Sequence, residues 1–184
     1  MNTGLVSARY ATALYDFAVE TKSVEKVYGE AKMLTLMFMK MGELRLVLNN
    51  PVLPLKEKRQ LILNAAGGET SKTFEKFTDL LLKNGREEQV QYVMLKFIDL
   101  YRKQKNIRYG KLTTASEVDK VTEDRLISLV TDKVGGTLEL EKVVDPNILG
   151  GFMLEVEDVR WDASLSGQLT RIRNEYIERN RRIV

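Results

Sequence analysis

The chain has 184 residues, 43% hydrophobic and 30% charged, a composition of folded globular proteins rather than of disordered or fibrous ones. It has no Cys and no His, which removes disulfide scaffolds, thiolate nucleophiles, Cys/His zinc sites and every catalytic set that needs imidazole. The net charge is only +3, from 29 basic and 26 acidic residues, a weak footprint for a nucleic-acid protein.

Residues up to about 105 predict consecutive short helices. Ser7 to about Thr21 is the first. Val6, Tyr10, Leu14 and Phe17 follow helical spacing, and Ala8, Ala11, Tyr15 and Ala18 run beside them, so most of its circumference is apolar or small. Ser23–Lys40 is the second, with Ser23 as N-cap and Val24, Val27, Tyr28, Ala31, Leu34 and Phe38 as the buried stripe. Met33, Met37, Met39 and Met41 are expected to fill core gaps near its end. A short third helix spans Glu43–Leu48, before Asn49-Asn50-Pro51 and Pro54 break the chain. Leu55–Ala66 is the fourth, stopped by Gly67-Gly68. Ser71–Lys83 is the fifth, with Phe74, Phe77, Leu80, Leu81 and Leu82. Glu87–Lys105 is the sixth, with acidic residues at its positive end. Six helices with short links predict a bundle.

The pattern changes after Lys105. Ile107–Thr114 alternates as a strand, with Gly110 expected at a bulge. Ser116 and Asp119 begin a helix running to Val134. Leu138/Leu140, Phe152/Leu154/Val156 and Val159/Trp161 alternate as strands, Asp158 marks a tight turn, and a last helix starts near Ser164. Its Leu165, Leu169, Ile172 and Tyr176 share one face, expected to pack on the sheet. The fold class is therefore α+β: a six-helix bundle over 1–105, then a small α/β domain over 106–184. Charge follows the same division, 17 basic against 12 acidic residues in the first part and 12 against 14 in the second. No 18-residue apolar run spans a bilayer and the N-terminus lacks the pattern of a secretory signal, which predicts a protein of the reducing cytoplasm.

Three motifs offer chemistry. Gly67-Gly68-Glu69-Thr70-Ser71-Lys72-Thr73 suggests a phosphate loop, but Ala66 and Ser71 stand where a Walker loop needs Gly, and no strand precedes it. Glu139, Glu141, Glu155, Glu157, Asp158 and Asp162 crowd the last hairpin, yet alternation puts the glutamates opposite the apolar side chains, the pattern of a solvated sheet face. Arg171, Arg173, Arg179, Arg181 and Arg182 make the last helix basic, but Glu175 and Glu178 interrupt and no aromatic platform repeats through it. No catalytic set, metal or cofactor is predicted. Gly150-Gly151 before Phe152, and Gly167 after Asp162, point to close backbone approach or positive φ.

Val144-Asp145-Pro146-Asn147-Ile148-Leu149-Gly150-Gly151-Phe152, followed by Trp161-Asp162-Ala163-Ser164-Leu165-Ser166-Gly167-Gln168-Leu169, resembles the C-terminal signature of the delta subunits of F-type ATP synthases, whose mitochondrial relative is the oligomycin-sensitivity-conferring protein. Its positions here are Asp145, Gly150, Gly151, Asp162, Ser164, Gly167 and Leu169. Ala8-Arg9-Tyr10-Ala11-Thr12-Ala13-Leu14-Tyr15 resembles the family's opening, one residue shorter after Arg9, and Asn84-Gly85-Arg86 matches the segment after its fifth helix. The resemblance implies a non-catalytic stator subunit. Its helical unit would bind the N-terminal helix of an alpha subunit in a groove between helices one and five, at Tyr10, Ala13, Leu14, Phe77 and Leu80. Its second unit would meet the b subunits of the peripheral stalk. It implies a peripheral place on the cytoplasmic face of a bacterial plasma membrane, reached only through the complex. The rival from the residues alone is a basic helical protein that binds nucleic acid.

Overall fold

The computed structural model describes residues 3–117, 137–156 and 159–181. The chain divides into two units, Met1–Gln104 and Lys105–Val184. In the first, α1 (Thr3–Glu20), α2 (Val24–Lys40), α3 (Glu43–Asn49), α4 (Leu55–Ala65) and α5 (Lys72–Lys83) precede a 3-10 turn (Glu87–Gln89) and α6 (Val90–Gln104). Both α1 and α2 lie along α6. Ala11, Leu14 and Ala18, spaced three and four apart, give α1 a narrow buried stripe, and the two alanines permit close approach of its neighbours. Val27, Ala31, Leu34 and Phe38 do the same for α2, and Val90, Val93, Met94, Phe97 and Ile98 for α6. All join Phe74, Phe77, Leu81 and Leu82 of α5 in one cluster.

Several buried polar groups inside this unit are paired, as low dielectric favours. Ser7 Oγ donates to Gln89 Oε1 at 2.9 Å. Lys58, buried on α4, donates to Glu87 Oε1 at 2.6 Å. Burial works against the charge of Glu87, but Lys58 and its own backbone amide hold its carboxyl below the usual value. Glu30 of α2 accepts from the Ser71 amide and hydroxyl at 2.5 and 2.8 Å. Burial nevertheless pushes its carboxyl above 4.5, against those two hydrogen bonds and Lys26.

Several expectations change. Ser23 does not cap α2 through its side chain. Its hydroxyl instead joins those of Thr21 and Thr73, 2.8 and 2.9 Å away, because α5 begins beside it. Of the four methionines, only Met37 packs against the core; Met33, Met39 and Met41 are exposed. Helical geometry explains this, since 33 and 39 lie away from the stripe of Val27, Ala31, Leu34 and Phe38. The sixth helix begins as a 3-10 turn and becomes α-helical only at Val90. Gly67 and Gly68 end α4 as expected, the Gly68 amide reaching back to Leu63 O at 3.0 Å.

The second unit holds β1 (Ile107–Thr114), β2 (Thr137–Val144), a 3-10 turn (Pro146–Ile148), β3 (Phe152–Val156), β4 (Val159–Asp162) and α7 (Leu165–Arg181). The sheet order is β2-β1-β3-β4, with β1 parallel to β2 and antiparallel to β3, and β3 antiparallel to β4. One face gathers Leu112, Leu154 and Val156, with Leu138, Leu140, Phe152 and Trp161 packed around them. Gly110 is not at a bulge. The β1 register with β2 runs unbroken past it, and on the other side it pairs with Val156 of β3. A Cβ there would come 2.9 Å from both Leu140 and Val156, so glycine makes room for its two large cross-strand neighbours. The expected Ser116–Val134 helix and the Asp158 turn lie outside the described residues.

Candidate functional site

On the first unit, α1 and α5 pack side by side. Tyr10 meets Phe77 edge-on, with ring centroids 6.3 Å apart and planes at 74°, a favourable aromatic geometry. The Tyr10 hydroxyl accepts from Asn84 Nδ2 at 3.1 Å, which ties α1 to the end of α5. Leu14 and Phe77 are buried and Tyr10 is half-buried. Ala13 and Leu80 are exposed, Leu80 by 45%. Of the five residues the sequence singled out here, Leu14 and Phe77 are therefore buried, and Tyr10, Ala13 and Leu80 keep exposed surface. Ala13 faces solvent, not the core.

On the second unit, the signature residues build the junction between the β3–β4 hairpin and α7. Asp145 caps the 3-10 turn, accepting from the Asn147 amide at 3.0 Å. Gly151 has φ +73°, and a Cβ there would overlap the carbonyl oxygen of Ala163. The Leu165 amide donates to Gly150 O at 3.0 Å and the Ala163 amide to Phe152 O at 2.9 Å. Asp162 Oδ1 accepts from the Ser164 amide at 3.0 Å and from its hydroxyl at 2.6 Å. These bonds, with Arg160 and Arg171, hold the Asp162 carboxyl below 3.8. Ser164 Oγ in turn accepts from the Gly167 amide at 3.0 Å, capping α7. A Cβ on Gly167 would lie 2.8 Å from both Asp162 carboxylate oxygens. These six residues are thus a structural joint, and Leu169 takes no part in it.

A model of the ATP synthase delta (OSCP) subunit family matches residues 6–175. The chain belongs to that family. ATP synthase subunit delta of Phocaeicola vulgatus is 43% identical over 185 residues, covering all of both chains. That of Bacteroides thetaiotaomicron is 43% identical over 186 residues, again covering both in full. Prochlorococcus marinus has one 32% identical, covering 91% of this chain and 92% of its own. The fold also resembles a chain of the Toxoplasma gondii mitochondrial ATP synthase hexamer, with TM-score 0.65 and 20% identity, covering 93% of this chain and 97% of that one.

As a delta-family chain it is a structural, non-catalytic component of the peripheral stalk of an F-type ATP synthase. No helix among the described residues is long and apolar enough to cross a membrane. The other sequence motifs resolve in the same direction. Ser71 of the loop at residues 67–73 caps α5 and is itself held by Glu30, so an anion from the protein already occupies that helix start. Between β1 and β2 Tyr109 donates to Glu141, and on the β3–β4 hairpin Arg160 lies 3.4 Å from Glu155. Arg160 and Arg171 border an open cleft of about 690 Å³ beside Asp162. Arg171 is committed to Asp162 O at 3.2 Å.

Sequence reasoning missed two features. Asn84 was visible only as part of a family match, and its bond to Tyr10 needs the end of α5 brought beside α1. The outer face of α7 was assigned to the sheet, yet Leu169, Ile172 and Tyr176 are exposed by 57%, 64% and 67%. The signal available was Gly167, which has no side chain and so marks where α7 touches its own unit.

Proposed function

We propose that this chain is the connector of a bacterial ATP synthase stator, on the cytoplasmic face of the plasma membrane. Its helical bundle, residues 1–105, grips the N-terminal helix of an alpha subunit in the α1–α5 groove. Its α/β unit, residues 106–184, attaches to the b subunits of the peripheral stalk. The connection keeps the catalytic head from turning with the rotor, so that rotation is coupled to ATP synthesis. One observation supports the first half: α1 buries Ala11, Leu14 and Ala18 inward, while Ala13, half-buried Tyr10 and, on α5, Leu80 keep exposed surface. A small, partly apolar surface with an aromatic wall suits a foreign amphipathic helix. Torque resistance follows from slow release, which apolar burial supplies without much dependence on salt.

The test is Ala13→Asp in the full chain. A carboxylate at this exposed position is solvated in the free protein, so stability changes by no more than about 1 kcal/mol. In the complex it is buried and unpaired, which costs ~3 kcal/mol or more, about a hundredfold in affinity. Thermal unfolding and calorimetric titration with an alpha-subunit N-terminal peptide check the two halves. A folded variant with unchanged affinity rules out this groove. Wild-type binding that collapses with added salt would favour the nucleic-acid alternative's electrostatics over an apolar groove.

A further inference from the structure

Polar side chains tie α1 to α5 at two separate places. At one, Asn84, the C-cap of α5, donates through Nδ2 to the Tyr10 hydroxyl at 3.1 Å. At the other, the hydroxyl of Thr73, in the first turn of α5, lies 2.9 Å from those of Thr21 and Ser23, just past the end of α1. Tyr10 and Thr21 are eleven residues apart in the chain, and so are Thr73 and Asn84. The two helices therefore run antiparallel over a matched span of about 16 Å, three turns, with one polar tie at each end. Ala13 of α1 and Leu80 of α5, the two exposed positions, both fall inside that span.

Both ties stand on fixed turns. Helix α1 ends with Lys22 at φ +52°, and the Ser23 amide reaches back to Ala18 O at 2.9 Å. Helix α5 ends with Gly85 at φ +61°, and the Arg86 amide reaches back to Leu81 O at 3.0 Å. Left-handed ends of this kind define where a helix stops, and so where Thr21, Ser23 and Asn84 stand. Thr73 is buried, and the start of α5 beside it is held by Glu30 through Ser71. Stability alone gives the Tyr10–Asn84 tie little purpose. It is exposed to solvent, where water competes for both groups. What it fixes is a distance between two helices.

We propose that these ties preset the separation of α1 and α5, so that the groove has its binding width before a partner helix enters. Tyr10, Asn84, Thr21 and Thr73 are then positioning residues. The inference rests on the reading of α1 and α5 as the alpha-subunit groove, and adds what sets its width. A site already ordered loses less conformational freedom on binding.

The experiment is calorimetric titration of the full chain with the alpha-subunit N-terminal peptide of the same complex. Asn84→Ala and Tyr10→Phe are each expected to weaken binding about fivefold, and the two together no more than either alone, because both remove one bond. Their thermal unfolding shifts by no more than about 4 °C. The natural chain has no Cys, so a disulfide can replace the other tie without a competing thiol. Thr21→Cys with Thr73→Cys is expected to bind about fivefold more weakly when reduced with dithiothreitol, and like the wild type when the bond is closed.

If the wild type does not bind the peptide, the groove reading falls, and this inference with it. If the wild type binds and the variants bind equally well or more tightly, the ties do not set the groove, and the groove reading stands. Losses from Asn84→Ala and Tyr10→Phe that add up would mean separate contacts with the peptide, and would overturn the positioning role. A closed disulfide that leaves binding weak would overturn it too. Should the cysteine pair fail to fold or to close, the Tyr10 and Asn84 cycle, made at exposed groups, decides alone.

Discussion

The two units hold themselves together in different ways. In the first, a large cluster that includes fully buried Phe74 and Phe97 is surrounded by pairs between distant residues, Ser7 with Gln89, Glu30 with Ser71 and Lys58 with Glu87. In the second, the described core is small, centred on Leu112, Leu154 and Val156. The side-chain bonds at its hairpin–helix joint are local, within the run from Asp162 to Gly167. The first unit can spare surface for a partner because its interior already satisfies its helices. The second keeps its apolar helix stripe outside and relies on glycine joints for shape. The first unit is thus closed around its own core, whereas the last helix of the second keeps apolar side chains exposed.

The largest test of this contrast is Phe97→Ala. Removing a fully buried ring in the first unit is expected to cost ~3–5 kcal/mol. Urea unfolding followed by far-UV circular dichroism should show that loss, since most described helix lies in this unit. Trp161 is the single tryptophan and sits in the second unit, so its fluorescence reports that unit alone. An equal shift of both signals would show that the units unfold as one and would break the comparison.

Gly151→Ala is the counterpart in the second unit. A residue with a side chain is strained at φ +73°, and its Cβ would overlap Ala163 O. A loss of at least ~2 kcal/mol is expected in the Trp161 transition, with the dichroism transition of the first unit in place. An unchanged Trp161 midpoint would mean that the joint is not what shapes this unit.

The smallest effect concerns pH, and its sign differs between Glu30 of the first unit and Asp162 of the second. The folded-state value of Glu30 is raised by burial, so its contribution is fully present below 4.5 and is lost as pH rises through the raised value. Asp162 is lowered by the Ser164 hydroxyl and amide, so its contribution is present above 3.8 and is lost as pH falls through the lowered value. Glu30→Gln should flatten the first unit's dependence on the alkaline side of 4.5, and Asp162→Asn the second unit's on the acid side of 3.8. Unfolding midpoints across pH 3 to about 7 check both. Identical slopes in wild type and variant would remove that carboxylate from the account.

Much was legible in the residues themselves. Apolar spacing gave the helices of the first unit and the alternation of β1, β2, β3 and β4, because period 3.6 and period 2 are properties of local geometry. The signature glycines announced tight approach, and the structure supplies the atoms: Ala163 O at Gly151, the Asp162 carboxylate at Gly167. Leu14 and Phe77 lie in the core cluster with Tyr10 packed against it, and that depth was not readable, since a helix apolar on two sides does not say which side the core takes.

Periodicity states that a helix has a face; it does not state what covers it. Met39 and Met41 read as core filler and lie exposed, and Leu169, Ile172 and Tyr176 read as sheet-facing and are exposed too. Gly110 read as a bulge and is instead the gap that lets Leu140 and Val156 pass. Sequence by itself determined the family, the elements and the joint residues, because those rest on local backbone preferences and on matches along the chain. Only the tertiary structure decided the rotation of α7 about its axis. That rotation is fixed by one close approach, Gly167 against Asp162, and by one bond, Arg171 to the Asp162 carbonyl. Both are set by how the hairpin meets the helix, and no helical spacing encodes it.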